Sequence, residues 1–167
     1  IAVDSKGIIN KSRSDLNDEK IRLLEITNKD NTSGQLEDAV AGADIFIGVS
    51  QPDLLNPKHI KAMTKDSIIF ALANPDPEID PELAKHAGAK VVATGRSDYP
   101  NQVNNALAFP GIFRGALDNN VRQITDEHKM AAAEAIANLI PNPTPERIIP
   151  SLFDKKLLDS VASVFKN

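Results

Sequence analysis

At 167 residues the chain has the length of one domain, with 41% hydrophobic and 25% charged residues, the balance of a globular protein able to bury a real core. A net charge of −4 with no lysine/arginine stripe argues against a nucleic-acid partner, and no apolar run reaches the length of a helical membrane span. Cysteine is absent, which excludes disulfides and thiolate chemistry and points to the cytoplasm.

The chain opens Ile1-Ala-Val-Asp4, apolar and without an initiator Met. It reads as the middle of a strand, and so as a piece of a longer polypeptide. Asp4 ends that strand, where a dinucleotide fold places an acid for the adenine ribose; an Asp that simply starts a turn fits equally. Ser5-Lys-Gly7 is read as a turn and residues 8–13 as loop. Ser14-Asp15 is expected to cap a helix running to Ile26, with Leu16, Ile21, Leu23 and Leu24 on its buried side. A polar loop over 28–34 leads to a short helix over 35–41, stopped by Gly42.

Ala43 to Ser50 is a short apolar run between turn signals, expected to be a strand buried on both faces. Gly48 at its end suits close approach of a ligand, or merely tight packing. Asn56-Pro57 starts a helix to Met63, because Asn caps and Pro is pre-set for the first helical position. Ser67 to Ala73 is a second buried strand, stopped by Asn74-Pro-Asp-Pro77. Asp80-Pro81 repeats the cap-plus-proline start, and Gly88 ends that helix. Lys90 to Thr94 is the next strand.

Short apolar strands alternating with helices define an α/β fold. The expected architecture is an incomplete Rossmann-like, doubly wound, mostly parallel sheet, followed by C-terminal helices, as one domain over 1–167. Its first strand and Gly-rich loop are missing, since no G-x-G-x-x-G occurs in the chain. Right-handed crossovers would set Asp4, Ser50, Asn74 and Gly95 on one rim. Beyond the last strand come four amides, Asn101, Gln102, Asn104 and Asn105, whose uncharged donors and acceptors suit a small polar ligand. After Pro110-Gly111 the chain turns helical, with Thr125 capping an alanine-rich helix to about Ile140. A proline-rich linker over 141–145 precedes a last helix that begins at Asp154.

Metal ligands are not evident. His59, His86 and His128 lack paired spacing and read as solvated helix residues. Asp76, Glu78, Asp80 and Glu82 read as turn chemistry and a helix start.

Phe70-Ala-Leu-Ala-Asn-Pro75 and Ala93-Thr-Gly-Arg-Ser-Asp-Tyr-Pro-Asn-Gln-Val-Asn-Asn-Ala-Leu-Ala-Phe-Pro-Gly111 closely resemble the NAD-binding domain of bacterial malic enzymes. Gly42 to Ser50 and Glu146 to Pro150 resemble it as well. The resemblance implies oxidative decarboxylation of L-malate to pyruvate and CO2 with NAD, or NADP, and with Mg²⁺ or Mn²⁺. It implies no catalytic and no metal-binding residue in this piece, which is therefore expected to be inactive alone. Its partner would be the N-terminal half of the same polypeptide, in a homodimer. The resemblance assigns Asp4, Gly48, Val49, Ser50, Asn74 and Asn105 to the cofactor, and Asn74, Asn104 and Asn105 to malate. Asp4 would repel a 2′-phosphate and favour NAD, with Lys6, Lys11 and Arg13 softening that preference. Another Rossmann dehydrogenase, of methylene-tetrahydrofolate or amino-acid type, is a rival reading; a non-catalytic nucleotide-binding or interaction domain is a second. Without a first strand, Ile1 to Val3 and the strand at 44–49 would show apolar faces and open edges, giving a weakly stable or associating chain.

Overall fold

The computed structural model describes residues 1–165; positions 166 and 167 of the expected domain lie outside the described residues. The chain opens with β1 (Val3–Asp4) and β2 (Gly7–Ile8), then α1 (Asp18–Ile26) and α2 (Leu36–Val40). It alternates through β3 (Ile45–Gly48), α3 (Pro57–Ala62), β4 (Ile68–Ala71), α4 (Pro81–Ala87) and β5 (Val91–Thr94). A 3-10 turn over Asn105–Leu107 leads to α5 (Phe109–Asp118), α6 (Asp126–Ala137) and α7 (Leu157–Ala162), and a 3-10 turn over Ser163–Phe165 follows.

Strands β3, β4 and β5 form a parallel sheet in that order. Phe46, Ile69 and Val92 lie in one cross-strand row. That row faces the main core, where Ile69 and Val92 meet Val40, Ile60 and Ala84 from α2, α3 and α4, together with Met63 just past the α3 end. The starts of α3 and α4 follow from their sequence. Asn56 caps Lys58 and His59, and Asp80 caps Glu82 and Leu83, each with Pro in the first turn. Gly88 ends α4 at φ 118°, a conformation that side chains disfavour.

Three expectations need correction. Val3–Asp4 is not a strand of the parallel sheet. It pairs antiparallel with Gly7–Ile8, because the Asp4 carboxylate accepts the Lys6 amide at 2.9 Å and Gly7 at φ 103° completes a tight reversal. The rim of paired strand ends therefore has three members and not four. Helix α1 is capped by Asn17, not by Ser14-Asp15, since the Asp15 carboxylate is held by Arg13 and Lys6. Strand β3 is buried on one face only: Ile45 and Ile47 are 52% and 65% exposed, so the sheet ends there in an uncovered apolar face.

The C-terminal helices make their own core from Leu107, Ala132, Leu157 and Val161. Helices α5 and α7 approach closely because Gly111 and Gly115 leave room. A Cβ on Gly115 would lie 2.5 Å from the Ala162 carbonyl and 2.7 Å from Phe165.

Candidate functional site

Beyond the ends of β4 and β5 lies a cleft of about 510 Å³, lined by Leu72 to Pro75, Gly95 to Asp98 and Gln102 to Asn105. Open parallel sheets bind ligands at this edge. Asn74 enters on the loop that Pro75 and Pro77 turn away from β4. Asn104 and Asn105 enter on the segment that returns beside β5, where Gln102 bridges Thr94 and the Val103 amide donates to the Thr94 carbonyl at 2.7 Å. The fold thus brings Asn74, Asn104 and Asn105 together.

The three amides differ in what they leave free. The Asn104 Oδ1 accepts the Ala106 amide at 2.9 Å and starts the 3-10 turn, so its two N–H donors remain for a ligand. Asn74 and Asn105 are exposed, and their side-chain amides take no hydrogen-bond partner among the described residues. Neutral donors and acceptors on one wall can hold a carboxylate, a hydroxyl or a carboxamide without adding charge.

The loop carrying Arg96 is braced against the loop after β4. Arg96 meets Asp98 through two bonds of 2.9 and 2.7 Å and reaches Asp76 at 3.4 Å. Its guanidinium stands 5.5 Å over the Tyr99 ring, and the Tyr99 hydroxyl donates to Asp80 at 3.1 Å. The electrostatics follow from these contacts. The Leu83 amide, the Tyr99 hydroxyl and the Glu82 amide hold the Asp80 carboxyl below its ordinary value, and the Asp80 acceptor pushes Tyr99 up. Arg96 likewise depresses Asp98. The one cation lining the cleft is therefore largely neutralised, and its specificity rests on the amides.

Asn101, the first amide of the cluster, does not serve the cleft. It is buried at φ 58°, donates to the Val92 and Pro145 carbonyls, and accepts the Ile148 amide. It clips the proline-rich segment to the end of the sheet. Asp4 lies away from the cleft on the β1–β2 hairpin. Both of its oxygens are occupied, by Arg13 at 2.8 and 2.9 Å and by Lys20 at 2.6 Å, and Arg13 chiefly holds its carboxyl well below the carboxylate range.

Gly48, Val49 and Ser50 form the β3 end. Val49 and Ser50 are exposed, whereas Gly48 is buried, and a Cβ there would collide with the Glu78 carboxylate and the Phe46 ring. Glu78 is the residue that sequence reasoning missed. It is not surface turn chemistry: it is fully buried and accepts the Ser50 and Ala73 amides, each at 3.0 Å. Its partners are backbone groups, which have no sequence signal.

The histidines also depart from the solvated reading. His59 is 7% exposed and accepts the Asn56 amide to complete the α3 cap. His128 stacks on Phe165 with ring centroids 4.7 Å apart; only His86 is exposed. Among the described residues no group of three His, Asp or Glu side chains is arranged to hold a metal ion. No helix among them is long and apolar enough to cross a membrane. A second cleft of about 590 Å³ opens between Lys11, Arg13, Leu16, Ile21, Leu24 and Lys29, but Arg13 there is committed to Asp4 and Asp15 and no amides converge on it.

A parallel α/β sheet with a polar cleft at its strand ends defines a Rossmann-like nucleotide-binding domain. The family model described as malic enzyme, NAD binding domain, matches residues 1–163, and the chain belongs to that family. It is 51% identical over 165 residues to the bifunctional malic/malolactic enzyme of Bacillus subtilis, covering 97% of this chain and 40% of that protein. It is 42% identical over 180 residues to an NADP-dependent malic enzyme of Halomonas elongata, covering 98% of this chain and 42% of that protein. The crystal structure of an NAD-dependent malic enzyme from Thermotoga maritima superposes with a TM-score of 0.94 at 52% identity, over all of this chain and 44% of that one. The chain thus spans about two fifths of the length of these three relatives.

Proposed function

We propose that this chain supplies the dinucleotide and substrate wall of a malic enzyme. That enzyme oxidises L-malate at C2, with hydride transfer to NAD or NADP, and releases pyruvate and CO2. The observation that carries the reading is the gathering of Asn74, Asn104 and Asn105 on one cleft beyond the β4 and β5 ends. In this reading Asn104 donates to a malate carboxylate, Asn105 faces both malate and the nicotinamide, and Asn74 faces the nicotinamide ribose and the substrate. Ser50, Val49 and Gly48 line the dinucleotide path at the β3 end, and Asp4 stands near the adenine ribose. With Arg13 and Lys20 on both Asp4 oxygens, that acid presents little bare charge, and the reading includes both NAD and NADP. The nicotinamide supplies the hydride acceptor when bound; the residues of this chain orient malate and the ring and exclude water.

In this reading the divalent metal and the proton-transfer groups are held by the remainder of a longer polypeptide. A cytoplasmic homodimer completes the reading. The test uses a polypeptide of the relatives' full length that carries this chain, with L-malate, Mn²⁺ and NAD or NADP. Reduced nicotinamide and pyruvate formed in equal amounts support the reading. Dinucleotide binding indifferent to malate, with no turnover, overturns it.

A further inference from the structure

Ser50 and Ala73 sit at the ends of two different strands and are joined through one side chain. One Glu78 oxygen accepts the Ser50 amide at 3.0 Å and the other accepts the Ala73 amide at 3.0 Å. The carboxylate is 0% exposed and occupies the space over Gly48 that a side chain would need. Two backbone bonds accompany it: Leu55 donates to the Glu78 carbonyl at 2.8 Å and Asp53 to the Pro77 carbonyl at 3.2 Å. The loop after β4 is thereby stitched to the loop after β3. Ala73 immediately precedes Asn74, and Ser50 is the last residue of the β3 end.

We infer that Glu78 is a positioning residue, which fixes the dinucleotide-facing β3 end and the substrate-facing Asn74 at one separation. The inference rests on the malic enzyme reading above, which assigns those two loops to cofactor and substrate. A carboxylate suits the task because both of its oxygens accept. An amide keeps one acceptor and turns an N–H₂ group on the second amide N–H, so one bridge must open. Small displacements of bound reactants lower the rate of transfer steeply, because productive geometry is narrow.

The test compares the full-length enzyme with its Glu78→Gln variant. Turnover by the unsubstituted enzyme with malate, Mn²⁺ and NAD tests the underlying reading by itself. Given that turnover, the inference predicts that Glu78→Gln, corrected to the folded fraction, loses roughly tenfold or more in kcat. The KM for NAD rises in the same variant, and Glu78→Ala is worse on both. A residue that merely stabilises the fold lowers the melting temperature and leaves kcat and KM per folded molecule within twofold; that result overturns the inference, as does no change at all. If Glu78→Gln does not fold, amide hydrogen exchange in the unsubstituted enzyme decides. Ser50 exchanging as slowly as buried Ala73, with both slowing together on NAD binding, supports the bridge. A Ser50 amide that exchanges at the rate of an open loop overturns it.

Discussion

Asn101→Ala is the substitution whose cost follows most directly from the bonds it removes. The Asn101 amide makes three bonds, to the Val92 carbonyl at 3.2 Å, to the Pro145 carbonyl at 2.8 Å and from the Ile148 amide at 2.9 Å. Each neutral bond is worth about 1 kcal/mol net, and a buried donor left unpaired costs more. Asn101 also holds φ at 58°, where alanine pays a further ~1 kcal/mol. The sum is roughly 4 kcal/mol, concentrated at the junction of the 145–148 segment with β5. In the full-length enzyme the Ile148 amide is expected to exchange at least roughly 100-fold faster, at ~1.4 kcal/mol per factor of ten. Asn101→Gly relieves the backbone cost and recovers about 1 kcal/mol of the loss. Asn101→Asp keeps the acceptor for Ile148 but turns an oxygen on two carbonyls, and recovers nothing. An alanine variant within about 0.5 kcal/mol of the unsubstituted protein, with Ile148 still protected, refutes the clip.

Asn104→Ala removes two free donors from the cleft and is expected to raise the malate KM of the full-length enzyme by about tenfold, the equivalent of ~1.4 kcal/mol; unchanged KM and kcat refute the assignment. Gly115→Ala gains about 1 kcal/mol of helix propensity but forces a methyl against Ala162 and Phe165 at a cost of roughly 1–3 kcal/mol. A lower denaturation midpoint checks the net loss. Asp4 has a depressed pKa, so its contribution is fully present above the ordinary carboxylate value, about pH 4, and is lost as pH falls through the lower folded value. Asp4→Asn should therefore flatten the acid limb of the stability profile below about pH 4 and lower stability at neutral pH, read by denaturant titration across pH.

The parts of the fold that were legible share a cause: each is written in neighbouring residues. Asn56-Pro57 and Asp80-Pro81 start α3 and α4 where expected, while Gly42 follows the end of α2 and Gly88 ends α4, because capping acts over two or three positions. The apolar runs ending at Gly48, Ala71 and Thr94 are parallel strands, as their lack of alternation implied. Ser5 to Gly7 is legible as a turn, with Asp4 starting it, but the two-residue return strand Gly7–Ile8 is too short to show a pattern and reads as loop. The burial of β3 was overestimated because the sequence shows apolarity and not what covers it. Asn101 and Asn104 lie three residues apart in one amide-rich motif, yet one is structural and the other faces the cleft. What distinguishes them is the set of Asn101 bonds to Val92, Pro145 and Ile148, the last two 44 and 47 residues away along the chain.

That uncovered face bears on how the candidate site works. Ile45, Ile47 and Val49 are 52%, 65% and 78% exposed along one side of β3, and exposed apolar sheet of this kind marks a surface that seeks a partner. The opposite side of the same strand carries Gly48, over which Glu78 closes. The β3 end is thus held firmly from within by a buried carboxylate and lies open on its outer side. On the cleft wall the Asn104 side chain accepts the Ala106 amide, Asn101 anchors the segment that precedes it, and Glu78 holds the Ala73 amide next to Asn74. The β3 end, proposed for the dinucleotide, lies by contrast on an exposed apolar edge. The internal bonds behind the β4 and β5 ends thus lie within this chain, whereas the outer face of β3 is left open for a partner.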